Sequence, residues 1–211
     1  MILGLTGSIA MGKSATAEMF KKLGYPVFDA DNAVHDLYAK GGQAAKEIAE
    51  IYPDVIINGA VDRKVLIKKI ADDQTILPQI EKIVHPLVRS LEKQFAQFHE
   101  KAGAKLVILD IPLLFEAGRE KDVDIIVVVS ANADLQRQRA LKRPGMTPEK
   151  LAMIIARQLP DKQKRARADY VIDTASSLDE TFAEVKKLVK KLDPTNTRLA
   201  NTELANSGLE T

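Results

Sequence analysis

Gly7-Ser8-Ile9-Ala10-Met11-Gly12-Lys13-Ser14 fits the pattern G-x-x-x-x-G-K-[ST], and what flanks it decides the fold. The apolar run Ile2–Thr6 before it reads as a buried strand. The stretch Lys13–Leu23 after it places Ala15, Met19, Phe20 and Leu23 on one helical face, and Gly24 ends that helix. Strand, glycine loop and helix in this order predict an anion cradle. Gly7 and Gly12 let the backbone turn its N–H groups inward around phosphate oxygens, and the helix starting near Lys13 points its positive end at the same anion. Lys13 then reaches the β and γ phosphates, and Ser14 offers a hydroxyl to Mg²⁺. The loop implies nucleotide binding. It does not say what is done with the phosphate.

Working outward, short apolar runs alternate with helical patterns. Pro26–Asp29 reads as a second strand ending in acids. Leu106–Ile111 and Val123–Val129 are β-branched and almost wholly apolar, as strands covered on both faces are. Tyr170–Asp173 is a fifth candidate. Ser177 with Glu180 forms a capping box for a last helix striped by Phe182, Val185, Leu188, Val189 and Leu192. Thr147-Pro148 is an N-cap and first-turn pair within a helical excursion from Pro144 to Arg167. The alternation predicts an α/β fold with a parallel sheet. From about Asp31 to Lys101 the pattern is nearly all helical, with turn signals at Gly41-Gly42 and Asn58-Gly59, and Pro86 is expected to kink or break its helix. The expected organisation is a core of residues 1–30 and 104–192, a helical acceptor lobe at about 31–103 and a lid at about 143–167. A polar, disordered tail is expected at 193–211.

Composition closes off other classes. The 211 residues hold 31 Lys+Arg and 29 Asp+Glu, a net charge of +2, with 45% hydrophobic residues and neither Cys nor Trp. A chain of this kind can bury a core of Ile, Leu, Val and Ala. Without Cys there is no disulfide framework, Cys-ligated zinc or thiol nucleophile. No apolar run approaches the roughly 20 residues of a membrane span. The apolar start lacks a basic leader and runs straight into the glycine loop, so a soluble cytoplasmic protein is expected.

The near-zero charge hides an uneven distribution. Arg137–Arg167 holds ten basic residues against Glu149 and Asp161. Arg139 and Arg143, four apart, are expected on one helical face. Arginines on a closing lid stabilise the charge spread over a moving phosphoryl group and exclude water. Lys150, Lys162, Lys164 and Arg165 read instead as a solvated basic face. The segment lacks the interleaved aromatics of a nucleic-acid surface, so no nucleic-acid partner is expected. In open parallel sheets ligands bind beyond the carboxyl ends of the strands, which is where Asp29, Asp31 and Asp110 fall. Asp31 suits the acid that takes the acceptor's proton, but equally a helix N-cap. Asp110 suits a role near the metal, through water, or the capping of a turn. Asp29 reads as a structural acid.

The motifs Gly4-Leu5-Thr6-Gly7 through Gly12-Lys13-Ser14, Asp29-Ala30-Asp31, His85-Pro86 and Asp110-Ile111-Pro112-Leu113-Leu114-Phe115-Glu116 together resemble the dephospho-CoA kinase family. Gln136, Arg139, Arg143, Arg157-Gln158 and Ala168-Asp169 follow in order, and the resemblance spans about residues 1–192. It implies a small P-loop kinase with a five-stranded parallel sheet, a helical substrate lobe and a lid. It implies transfer of the γ-phosphate of ATP to the ribose 3′-hydroxyl of dephospho-CoA with Mg²⁺, the last step of CoA synthesis. By resemblance, Gly7, Ser8, Ile9, Ala10, Met11, Gly12, Lys13, Ser14 and Thr16 bind ATP, with Arg139, Arg143 and Arg157. Asp31, Lys13, Arg139 and Arg143 are catalytic, Asp31, His85, Asp110 and Leu113 meet the acceptor, and Ser14 and Asp110 attend the metal. From its sequence context alone, His85 reads more readily as structural. His35 and His99 read as surface residues. The family usually has glycines where this chain has Ser8 and Ala10, and often Asn where it has Asp173. Binding is expected to survive the loop departures, since the P-loop pattern fixes neither position. The rival readings are a nucleoside or nucleotide kinase and a P-loop NTPase switch, the latter lacking an N-K-x-D motif here.

Overall fold

A computed structural model describes residues 1–196. Its main sheet has five strands: β1 (Ile2–Gly7), β2 (Val27–Asp29), β5 (Val107–Asp110), β6 (Ile125–Ser130) and β7 (Tyr170–Asp173), in the order β2-β5-β1-β6-β7. β3 (Ile56–Ile57) and β4 (Ala60–Val61) form a separate antiparallel pair. β1 lies parallel to β5 on one side and to β6 on the other, and β6 is parallel to β7. The helices are α1 (Lys13–Lys22), α2 (Ala30–Tyr38), α3 (Gln43–Ile51), α4 (Arg63–Asp72), α5 (Ile76–Lys101), α6 (Ala133–Leu141), α7 (Pro148–Ala156), α8 (Asp161–Arg167) and α9 (Leu178–Leu192). The chain divides into two compact units, residues 29–98 and the remainder.

In the sheet unit, β1 and β6 read as unbroken apolar runs because both faces are covered. Leu3, Leu5, Val127 and Val129 share one core with Phe20 of α1 and Val185 and Val189 of α9. α9 begins as its sequence requires: Ser177 and Glu180 complete a capping box. α1 stops at Lys22, and Gly24 follows at φ 83°. The chain runs from β1 out to the β2 edge, and after β5 crosses to β6, so the strand order reverses beside β1. That crevice, beyond the carboxyl ends, is where an open α/β sheet binds ligands.

The other unit departs from one sequence expectation and narrows another. Asn58-Gly59 closes a short β-hairpin, with φ 54° and 82° at the two positions, inside a region that reads as helical. Positive φ at both central residues is the turn that Asn-Gly favours. Of the kink or break expected at Pro86, the break does not occur, since α5 is continuous from Ile76 to Lys101. Ile76, Ile80, Val84 and Val88 bury one stripe at four-residue spacing, and Pro86 sits on the exposed face, where solvent can serve the carbonyl it leaves unpaired. Beyond α9, Asp193 is buried and accepts from the Tyr25 hydroxyl at 3.3 Å, so the chain stays packed past residue 192. The rest of the expected tail, 197–211, lies outside the described residues.

Gly7 closes β1 where no side chain fits. A Cβ there would lie 2.5 Å from Val129 Cγ2 and 2.7 Å from the Val129 carbonyl oxygen. Gly7→Ala is therefore expected to lower unfolding stability by about 3 kcal/mol, read as a fall in the denaturation midpoint.

Candidate active site

The glycine loop leaves β1 at Gly7 and enters α1 through Gly12, which takes φ 91° at the helix N-cap. Its carbonyls are tied away from its interior one after another. Ile9 O accepts from Gln136 Nε2 at 2.9 Å. Met11 O accepts from the Thr174 hydroxyl at 2.8 Å. Gly12 O accepts from the Thr16 amide at 3.0 Å and the Thr16 hydroxyl at 3.2 Å. Across a trans peptide the N–H points opposite to the C=O. Fixing these three carbonyls therefore turns the amides of Ala10, Gly12 and Lys13 the other way, and among the described residues none of the three donates to a protein acceptor. Together with the open N-terminus of α1, they form an anion nest.

Lys13 Nζ lies 2.5 Å from Asp110 Oδ1, so the loop's lysine meets the acid at the end of β5, two elements that sequence alone could not join. Ser14 is exposed on the first turn of α1. Thr16, expected to touch phosphate, is fully buried and spends its hydroxyl on Gly12, so it is a strut of the loop. Ser8 and Met11 are buried in the loop wall, and Met11 Sδ takes the Ala131 amide. Leu113 is 46% exposed.

The basic segment divides. Arg139, on α6, is fixed through Nη1 to the Thr174 hydroxyl at 3.1 Å and Nη2 to the Thr174 carbonyl at 2.7 Å. The structure corrects its pairing with Arg143. α6 ends at Leu141, and Arg143 stands beyond it in the turn before Pro144, exposed and off the helix face. Arg157 is exposed at the end of α7, which the Thr147 side chain caps as expected. Lys164 corrects the expectation of a solvated face. It is fully buried, with Nζ 2.8 Å from Glu116 Oε1. Glu116 also accepts from the Leu159 amide at 2.8 Å, and Asp161 accepts from the Ser130 hydroxyl at 2.7 Å. Arg167 pairs with Glu120 and lies over the Phe115 ring. The segment after α7 is thus bolted to β6 and to the stretch after β5.

In the helical unit, Asp29 holds the N-cap of α2, accepting from the Asn32 amide at 3.0 Å. The capping role left open for Asp31 therefore belongs to Asp29. Asp31 lies in the first turn, exposed. His85 is exposed on α5, and His35 is exposed on α2. Asp173 spends a carboxylate oxygen on the Ala175 amide, at 2.8 Å.

Thr174, Ser130 and Glu116 carry structural weight at this site that sequence reasoning missed. Only Glu116 had a signal, as the last residue of the D-x-P-L-L-F-E run. Gln136 and Gln158 stood in the pattern without a role.

A model of the dephospho-CoA kinase family matches residues 1–180. The chain is 49% identical over 192 residues to the dephospho-CoA kinase of Rhizobium meliloti (strain 1021), spanning 91% of this chain and 98% of that one. It is 48% identical over 192 residues to that of Brucella melitensis, spanning 91% and 95%. A crystal structure from Thermus thermophilus superposes with a TM-score of 0.76 at 31% identity, over 91% of this chain and 97% of that one. The dephospho-CoA kinase of Campylobacter jejuni shares the fold, with a TM-score of 0.70 at 23% identity, over 92% and 98%.

Burial acts to raise the Glu116 pKa, but the Lys164 ammonium and the Leu159 amide outweigh it and hold the carboxyl below its ordinary value of 4.5. A depressed pKa contributes stability that is present above the ordinary value and lost as pH falls through the folded one. Glu116→Gln is expected to cost about 3 kcal/mol near neutral pH, because it leaves Lys164 buried without a counter-charge. It should also flatten the loss of stability on acidification below about pH 4.5, measured by urea unfolding across pH.

Proposed function

The chain belongs to the dephospho-CoA kinase family, and on that premise we propose how its own residues divide the work. The reaction is the ATP-dependent phosphorylation of dephospho-CoA, in CoA biosynthesis. The observation that carries our reading of the site is the outward tethering of three loop carbonyls, which turns the amides of Ala10, Gly12 and Lys13 toward a phosphate chain. Lys13 adds a full positive charge, and Asp110 sets its position.

The acceptor atom is the ribose 3′-hydroxyl of dephospho-CoA, and Asp31 orients it and takes its proton. What favours Asp31 over Asp29 is that Asp29 is occupied as the N-cap of α2, whereas the exposed Asp31 in the first turn has no capping role. Arg143 and Arg157, both exposed, bring charge to the moving phosphoryl group, while Arg139 faces the nucleotide from the Thr174 wall. His85 and Leu113 meet the acceptor. Mg²⁺ fits the donors available. The hydroxyl of Ser14, exposed on the first turn of α1, and the carboxylate of Asp110, at the end of β5, are the hard oxygen donors that would hold it together with phosphate and water. An ion bound there would supply neutralisation of the charge on the transferring phosphate. In this reading Asp31 acts only as orienter and proton acceptor, and the phosphoryl group passes directly from ATP to the acceptor hydroxyl with no covalent enzyme intermediate. The chemistry takes place in the cytoplasm. No described helix is long and apolar enough to cross a membrane.

An ADP-release assay over a panel of acceptors tests substrate and reaction together. Turnover on dephospho-CoA is expected, and turnover only on a nucleoside monophosphate would overturn the acceptor assignment. Lys13→Met should cut kcat by a factor on the order of 10³. Asp31→Asn should cut it by about 10² or more while leaving ATP affinity largely intact, whereas near-normal turnover removes Asp31 from its role.

A further inference from the structure

Ala10 sits at φ 61°, in the left-handed region that an L-residue with a Cβ avoids. It does so at the crest of the phosphate loop, and both backbone groups of the preceding residue are held by glutamine side chains. The Ile9 amide donates to Gln158 Oε1 at 3.0 Å. The Ile9 carbonyl accepts from Gln136 Nε2 at 2.9 Å. The Ala10 Cβ packs with Ala140 of α6 and Leu151 of α7.

We propose that Gln136 and Gln158 are positioning residues that lock the Ile9–Ala10 peptide, so that an alanine can serve where the loop needs a left-handed residue and its amide stays aimed at ATP. The proposal rests on the reading of this loop as the ATP cradle. The physical reason is the geometry of a peptide flip. Turning the Ile9–Ala10 plane over carries the Ile9 carbonyl and the Ala10 amide together and takes Ala10 to negative φ, where an alanine is at rest. The flip would also swing the Ala10 amide out of the nest. Gln136 opposes it directly, because its donor grips the carbonyl that must move, and a buried acceptor stripped of its partner is costly. Gln136 is itself buried, 8% exposed, so its amide is not free to seek water. Gln158 fixes the plane before it. Gln158 stands at the junction of α7 and α8, next to Arg157 and to Leu159, whose amide Glu116 holds. The same junction therefore sets the crest of the loop and the base from which Arg157 extends.

The test compares the unaltered chain with Gln136→Met and Gln158→Met, which keep side-chain length and remove the hydrogen bonds, in both the Ala10 and the Ala10→Gly backgrounds. The readouts are the Kd for ATP by calorimetry, KM for dephospho-CoA, kcat at saturating ATP, and Tm. In the Ala10 background Gln136→Met should weaken ATP binding about tenfold, and Gln158→Met about threefold, with kcat and the acceptor KM near their starting values and with Tm lowered, more by Gln136→Met because its partner carbonyl is left buried. In the Ala10→Gly background the Gln136→Met effect should shrink to about twofold, because glycine has no preference to escape the left-handed region. Equal weakening in the two backgrounds, or ATP binding unchanged by both substitutions, overturns the proposal. If Gln136→Met does not fold, the half-buried Gln158→Met decides on the same criteria. Failure of the unaltered chain to bind ATP would instead overturn the reading of the loop.

Discussion

Strand β1 is hydrogen-bonded along both edges, to β5 and to β6, and the chemistry of the sheet unit depends on that placement. A central parallel strand ends at a fixed depth, because its neighbours set its register on both sides. Its last residue, Gly7, approaches the Val129 backbone so closely that only a hydrogen fits. The loop that follows therefore starts from a rigid point, with the ends of β5, β6 and β7 around it. Those ends supply Asp110, Ser130 and Thr174, each of which holds part of the loop or the segment behind it.

Charge in this unit is organised by burial more than by number. The ten basic residues of Arg137–Arg167 have different jobs. Lys164 is wholly inside and neutralised by Glu116, so it contributes attachment. Arg139 is committed to Thr174 and stiffens the wall next to Met11. Arg143 and Arg157 remain at the surface, where a cation can follow a polyphosphate. A guanidinium bound through two nitrogens to one residue keeps a fixed orientation, whereas an exposed one samples many.

The polar side chains that matter most here act on backbone. Gln136, Thr174 and Thr16 each take a loop carbonyl, and Gln158 takes a loop amide. An anion nest needs its amides pointed inward before the anion arrives, and the way to aim an amide is to fix the carbonyl on the other side of its peptide. This explains how a loop with Ala10 at φ 61° is held in shape.

The sequence by itself determined the strand–loop–helix at residues 2–23, the parallel α/β class, the capping box at Ser177 and the identity of Lys13, because these depend on neighbours within a few positions. It also carried the family through motifs whose order along the chain is enough to recognise them. It left open what depends on energies summed over a whole element. Pro86 stays helical because a buried stripe over 26 residues outweighs one lost hydrogen bond. Only the tertiary structure decided that Asp29 and not Asp31 caps α2, that Arg143 leaves the face of Arg139, and that Lys164 turns inward to Glu116. It also decided that Thr16 and Thr174 serve the loop's backbone. Those outcomes rest on partners as far apart in sequence as Met11 and Thr174, and no local pattern records which polar group will meet which carbonyl once the strands are laid side by side.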